Sequence, residues 1–266
     1  MVARPPSVPR IPPLRLSPER IRAWRQCPHA YWHRYIRRSP EERTFSRALH
    51  RGSCLHKMLH DCFRHHARHG AFPETLAPLA KQYLPYRLYP DPEWYDADGR
   101  DCVHAVRRYL ASGPDADAPA MRTVGCECEY TYEHAAAPAF ALTARADRVL
   151  RGPEGLRILD YKSGAAKQYD LFQVASLHLC AAASSRIPAD VRPIRVVAVF
   201  LAPDCVETET HALDDTDLHE YRDRICDIAA AIHDASGDET AYAPTPGSHC
   251  RYCPFAALCP LGADEY

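Results

Sequence analysis

The chain has 266 residues, 46% of them hydrophobic, with a formal net charge of −1. That is enough to bury a core as one large domain or two small ones, and it excludes a disordered or fibrous chain. No apolar run reaches the roughly 18 residues of a membrane span, and the proline-rich start MVARPPSVPRIPP lacks the apolar segment of a secretion signal, so the expected compartment is the cytoplasm.

Residues 1–15 carry many prolines and no periodic pattern, which predicts a flexible arm. A single domain is expected over 16–266, mainly helical to residue 120, α/β over 121–240, and cysteine-bearing over 241–266. Ser17 can cap a helix whose first turn suits Pro18, running through Trp24 and ending near Cys27-Pro28. A second short helix follows over His29–Arg37. From Ser46 to His69 the residues Ala48, Gly52, Leu55, Leu59 and Phe63 recur at helical spacing, and Gly70 ends the run. His56 falls inside this apolar arc, with Gly52 one turn away to let something approach the backbone. A lone inward histidine is more often a satisfied core residue than a ligand.

Thr75–Tyr89 reads as a helix weakened by Pro78 and Pro85, Asp91–Asp98 as irregular, and Cys102–Leu110 as a helix stopped by Gly113-Pro114. The period then changes. Val124, Cys126, Cys128, Tyr130 and Tyr132 alternate with Glu127, Glu129 and Thr131, the signature of a strand. Two further strands, Phe140–Leu150 and Leu156–Lys162, flank the turn Gly152-Pro153-Glu154-Gly155, a hairpin signal. Asp160, Lys162 and Ile158 share one face of the second strand. Water or metal must lie on that side, or the charges would be buried at prohibitive cost. Asp170–Ala183 predicts a helix, Ile194–Leu201 a buried strand, and Leu218, Tyr221, Ile225, Ile228 and Ile232 one face of a long helix ending at Gly237.

The near-neutral total hides an uneven distribution of charge. Nine arginines lie between Arg20 and Arg51, Arg22, Arg25 and Arg34 among them, against Glu41 and Glu42, whereas twelve acids lie between Asp204 and Glu239. Two solvated helical faces of opposite sign would account for this. So would a basic strip that tracks phosphates, with Trp24, Tyr31, Trp32 and Tyr35 stacking on bases, and charge does not choose between them.

Most of the twelve cysteines sit inside helix or strand patterns and read as small apolar fillers, since a reducing compartment gives no disulfide framework. The exception is Cys250-x2-Cys253-x5-Cys259, a strong local signal for a metal or cluster with no fourth ligand nearby.

The order strand, strand, turn, strand, helix, strand, with Asp147 followed after 13 residues by Asp160-Tyr161-Lys162, resembles the core of the PD-(D/E)XK nuclease superfamily. Ser17 to Cys27-Pro28 with slightly altered spacing, Gly52-x3-His56, Asp160-Tyr161-Lys162-Ser163-Gly164 and Gln173 on the next helix resemble its RecB-like exonuclease branch. Two positions depart from that pattern, Ala144 for a glycine and Leu177 for a tyrosine.

The resemblance implies an α/β fold, a mixed central sheet flanked by helices, and Mg²⁺- or Mn²⁺-dependent cleavage of DNA, most readily of single-stranded ends. It makes His56, Asp147, Asp160 and the Tyr161 main-chain carbonyl metal ligands and Lys162 the catalytic lysine. It gives Gln173 an active-site or DNA contact, beside Arg22, Arg25, Arg34 and Trp32 on the basic strip. The cysteine pattern resembles AddB-type subunits and CRISPR-associated RecB-like exonucleases, in which one upstream cysteine, here Cys27, joins Cys250, Cys253 and Cys259 around a [4Fe-4S] cluster; zinc is the competing occupant. No G-x4-G-K-[ST] motif appears, so any helicase motor would be a partner, as would a CRISPR or repair protein. A non-catalytic DNA-binding or assembly subunit is the rival reading.

Overall fold

The computed structural model describes residues 14–42, 45–112, 120–166, 169–188, 191–235 and 237–261. A six-stranded mixed sheet lies between two helical layers, the α/β architecture expected. Its centre is the hairpin of β3 (Phe140–Gly152) and β4 (Gly155–Ser163), paired from Arg148 opposite Leu159 down to Gly152 opposite Gly155. Gly155 has φ +96°, and a Cβ there would lie 2.2 Å from the Pro193 carbonyl oxygen, so only glycine fits this turn. β5 (Ile194–Leu201) runs parallel to β4, and β6 (Val206–His211) closes the edge antiparallel to β5. β6 was not anticipated: its sequence VETETH carries a single aliphatic side chain, and an exposed edge strand needs no apolar face.

On the other side, β2 (Arg122–His134) pairs with β3 from end to end. β1 (Leu14–Leu16) runs parallel to Phe140–Leu142 of β3. Because β2 takes one edge of β3, β1 and β4 share the other at opposite ends, and the pairings leave Thr143–Asp147 open between them. This opening positions the site. The ordered chain begins before residue 16: Leu14 and Arg15, expected in the arm, belong to β1, and residues 1–13 lie outside the described residues.

One face of the sheet, with Ile158, Val196, Ala198 and Phe200, packs against α1 (Pro18–Gln26), α6 (Leu171–Ala183) and α7 (Asp215–Asp234). The other, with Leu159, Tyr161, Val197 and Val199, packs against α3 (Arg47–His69) and α5 (Pro92–Ser112), with α4 (Ala77–Tyr83) behind them. Cover on both faces explains the near-continuous apolar run of β5. α2 (Pro28–Tyr31) continues as a π-helical turn, Trp32–Arg37, ended by Arg38 at φ 56°.

Two helical boundaries differ from expectation. The Thr75–Tyr89 helix stops at Tyr83 and resumes as a three-residue turn, Tyr86–Leu88, because Pro85 cannot continue it. Asp91–Asp98, expected to be irregular, mostly forms the start of α5. Asp98 looks polar in sequence but is fully buried, accepting from Arg47 Nη2 at 2.6 Å and the Tyr89 hydroxyl at 2.9 Å. The expected stop at Gly113-Pro114 lies outside the described residues. Among the described residues no helix is long and apolar enough to cross a membrane.

Gly155→Ala combines a left-handed backbone with a backbone clash, so it should cost about 1–3 kcal/mol or more. Chemical denaturation checks this; an unchanged midpoint would show that the turn can reshape.

Candidate metal-binding active site and cysteine pocket

The backbone amide of Tyr161 faces the opening where β3 and β4 separate, and the side chain of Asp147 fills it. Asp147 Oδ2 accepts the Tyr161 N–H at 2.6 Å, and Oδ1 lies 3.0 Å from His56 Nδ1 on α3. α3 approaches closely because Gly52 abuts β4, where a Cβ would stand 3.2 Å from Ser163 Oγ. The close approach anticipated at Gly52 is therefore to protein.

Asp160 is 4% exposed. Its Oδ1 accepts from Gln173 Nε2 at 2.9 Å, and its Oδ2 accepts from the Tyr169 hydroxyl at 2.8 Å and lies 2.6 Å from Lys162 Nζ. Lys162 Nζ also donates to Gln173 Oε1 at 3.2 Å, so Gln173 bridges acid and lysine. Burial pushes the Asp160 carboxyl above its ordinary range; Lys162 pulls it back, and the Asp147 charge pushes it up again. Burial pulls the His56 imidazole down, but its hydrogen bond to Asp147 and the charges of Asp147, Asp160 and Glu127 outweigh this and raise it. Two near-buried carboxylates, with Lys162 on one and the His56 ring against the other, make a donor set suited to a divalent cation, which would take oxygens from the acids and, by displacing any proton, a nitrogen from the imidazole.

Two residues escaped the sequence reading. Tyr169 lies four residues before Gln173, and its hydroxyl reaches Asp160, whereas Leu177, where the family pattern has a tyrosine, is buried in the core. Nothing in a loop tyrosine announces such a role. Glu127 brings a carboxylate within 4.8 Å of the ligand atoms of His56 and Asp147. Its signal was Gly125, since a glycine inside a strand pattern marks a bulge, and the β2 register shifts between Thr123 and Gly125.

The proposed DNA contacts divide. Arg22 lines the cleft of about 500 Å³ that also exposes Asp147, Asp160, Lys162 and Gln173. Arg25 lies 3.1 Å from Asp170 Oδ1 and over the Phe172 ring, and Arg34 pairs with Glu41 at 3.0 Å. Trp32 is 9% exposed and packs on Tyr242, and Tyr31 is fully buried, so neither can stack on a base. Their rings fill the core instead, because the opening helices dock on the C-terminal segment.

The two ends of the chain meet there. Trp24, Tyr31 and Trp32 surround Tyr242, with ring centroids 4.9–6.4 Å from it. Beside them Cys27, Cys250, Cys253 and Cys259 line a cavity of about 150 Å³ together with His29. Cys27 Sγ accepts from the backbone N–H groups of Ala30 and Thr245, both at 3.5 Å. Burial pushes the Cys253 thiol up, Phe255 lowers it through a backbone hydrogen bond, and the other three cysteines push it up again. Among the described residues, the trios of His, Cys, Asp and Glu with all ligand atoms within 4.8 Å are His56–Glu127–Asp147 and His29–His33–Glu239. The cysteines form no such trio, whereas one tetrahedral zinc would bring its sulfurs to about 3.8 Å.

The family model described as the PD-(D/E)XK nuclease superfamily matches residues 15–260. A solved protein from Eubacterium rectale, described as a candidate exonuclease, aligns with a TM-score of 0.50 and 11% identity over 90% of this chain and 86% of its own, a likeness of fold. The crystal structure of SSO0001 aligns with a TM-score of 0.34 and 13% identity over 77% of this chain and 84% of its own. No curated protein matches the sequence.

Gln173→Leu removes the bridge between Asp160 and Lys162 and should weaken Mn²⁺ binding about tenfold or more. Calorimetric titration checks this; affinity equal to wild type would make the bridge incidental to the metal.

Proposed function

Because the chain belongs to the PD-(D/E)XK nuclease superfamily, we propose that it is a Mg²⁺- or Mn²⁺-dependent deoxyribonuclease that degrades single-stranded DNA from an end, in repair, recombination or CRISPR adaptation. The observation that carries this reading is the convergence of Asp147, Asp160, Lys162 and His56 at the open edge of β3. The exonuclease assignment follows the RecB-like motifs and the description of the Eubacterium rectale neighbour.

Asp147, Asp160, His56 and the Tyr161 carbonyl are assigned as the residues that hold the cation. The cation would supply charge to polarise the scissile phosphate and to acidify a water near neutral pH. Lys162, braced by Asp160 and Gln173, orients the attacking water and steadies the negative charge that grows on the phosphate oxygens. Arg22 holds the backbone of the strand at the rim. A helicase or a CRISPR or repair protein would deliver the unwound end.

The cysteine pocket is assigned a [4Fe-4S] cluster. The four cysteines that line one cavity, with N–H groups donated to Cys27 Sγ, support this assignment, and the resemblance of the cysteine pattern favours a cluster over a single zinc. Cys27 and Cys250 stand 223 residues apart, and closing so long a loop is worth on the order of 5 kcal/mol.

With end-labelled single- and double-stranded oligonucleotides in Mg²⁺ and in Mn²⁺, Asp160→Ala should cleave about a hundredfold more slowly or worse than wild type. Full activity of that variant would sink the proposal. Cys253→Ala should purify colourless and melt at lower temperature; unchanged iron content and melting would dismiss the cluster.

A further inference from the structure

Glu127 is a glutamate in a backbone conformation that glutamate avoids. Its φ is 52° in the middle of β2, although its neighbours keep register with β3, Cys126 opposite Arg148 and Cys128 opposite Ala146. A non-glycine residue held in this region costs about 1–3 kcal/mol and persists only where surrounding structure imposes it; such outliers cluster at functional sites.

The neighbourhood is built around the distortion. A Cβ at Gly125 would lie 2.2 Å from Cys128 Sγ, so the glycine two residues earlier lets that thiol fold back on the strand. Cys126 and Cys128, which regular alternation would place on one face, pack into opposite helical layers. The irregularity lies next to an active site, where strand bulges are over-represented.

The Glu127 carboxylate has two claimants. Its Oε2 lies 3.1 Å from Nε of Arg145, on the neighbouring strand and two residues before Asp147. One of its oxygens also lies within 4.8 Å of a ring nitrogen of His56 and a carboxylate oxygen of Asp147. The Arg145 side chain is 66% exposed and that of Glu127 28%, and ion pairs of this kind contribute roughly 0–1 kcal/mol. That hold is weak beside the pull of a doubly charged ion held by neighbouring ligands. Arg145 lines the cleft with Asp147, Asp160 and Lys162, so once released its guanidinium stands where a phosphate must enter, with a fork suited to two phosphate oxygens.

We propose that Glu127 is an exchangeable metal ligand: without a cation it holds Arg145, and with one it turns to the ion at His56 and Asp147, freeing Arg145 to bind a phosphate of the DNA strand. The inference rests on the nuclease reading above and adds to it a coupling between cation and substrate. By reciprocity, each then tightens the other through this exchange.

The full-length protein tests this in two binding measurements that need no turnover. One is Mn²⁺ titration followed by the electron paramagnetic resonance of the free ion. The other is fluorescence anisotropy with a cleavage-resistant phosphorothioate single strand, with and without Mn²⁺. Glu127→Gln should weaken Mn²⁺ binding about tenfold or more. Arg145→Gln should bind Mn²⁺ at least as tightly as wild type but lose most of the Mn²⁺-dependent gain in DNA affinity.

Glu127→Gly relieves the backbone strain, so it should melt about 2–4 °C higher while binding Mn²⁺ as weakly as Glu127→Gln. Mn²⁺ affinity of Glu127→Gln within twofold of wild type, or a full Mn²⁺-dependent gain in Arg145→Gln, overturns the proposal. Wild type that binds no Mn²⁺ overturns the nuclease reading as well, which separates the two failures.

Discussion

One carboxylate holds the centre of this protein together. Where β3 and β4 part, the Tyr161 amide has no strand partner on that side, and a buried amide left unpaired is costly. Asp147 takes that proton through Oδ2 and reaches His56 through Oδ1, joining β3, β4 and α3 in one contact set. The carboxylate that completes the fold is also the one that organises the site. Asp160, four per cent exposed, stands nearby with its charge opposed by burial and supported by Lys162, Gln173 and Tyr169. The resulting excess of acid in a half-dry cleft is what makes a divalent cation a physical complement rather than an addition.

The second organising contact joins the two ends of the chain. Tyr242 inserts among Trp24, Tyr31 and Trp32, and Arg37 of the basic segment meets Glu239 of the acidic one at 3.5 Å. Much of the arginine-rich stretch is spent on structure in this way: Arg20 lies over Tyr35, Arg25 over Phe172, and Arg47 on buried Asp98. Arg22 and Arg145 are the arginines that the main cleft presents. A charge run in sequence thus resolves into internal pairs and a few working residues, and four cysteines lie where the two ends of the chain meet.

Elements with strong short-range signals were legible. The Gly70 stop and the 3.6-residue apolar spacing defined α3, and the Gly152–Gly155 turn between apolar runs defined the hairpin. Polar segments were not. β6 has no apolar face, and the start of α5 is knitted by Asp98 to Arg47 and Tyr89, partners distant or out of helical register. At the site, Asp147, Asp160 and Lys162 could be read because they sit on a hairpin whose strands fix their faces. Glu127 and Tyr169 could not, because one meets His56 across elements far apart in sequence and the other lies on a loop whose path is set by packing.

By itself the sequence determined the order of β2 to β5 and of the long helices, an acidic hairpin, an inward histidine and a C-terminal trio of thiols. Each rests on spacing along the chain, which local geometry converts directly into a shared face. Only the tertiary structure decided which arginines line the cleft, that the opening aromatics build a core instead of meeting bases, and that Glu127 stands beside His56 and Asp147. Those outcomes depend on register shifts and on contacts between segments far apart in sequence, where the cost of burying a ring or an unpaired charge is settled by what the rest of the fold brings alongside.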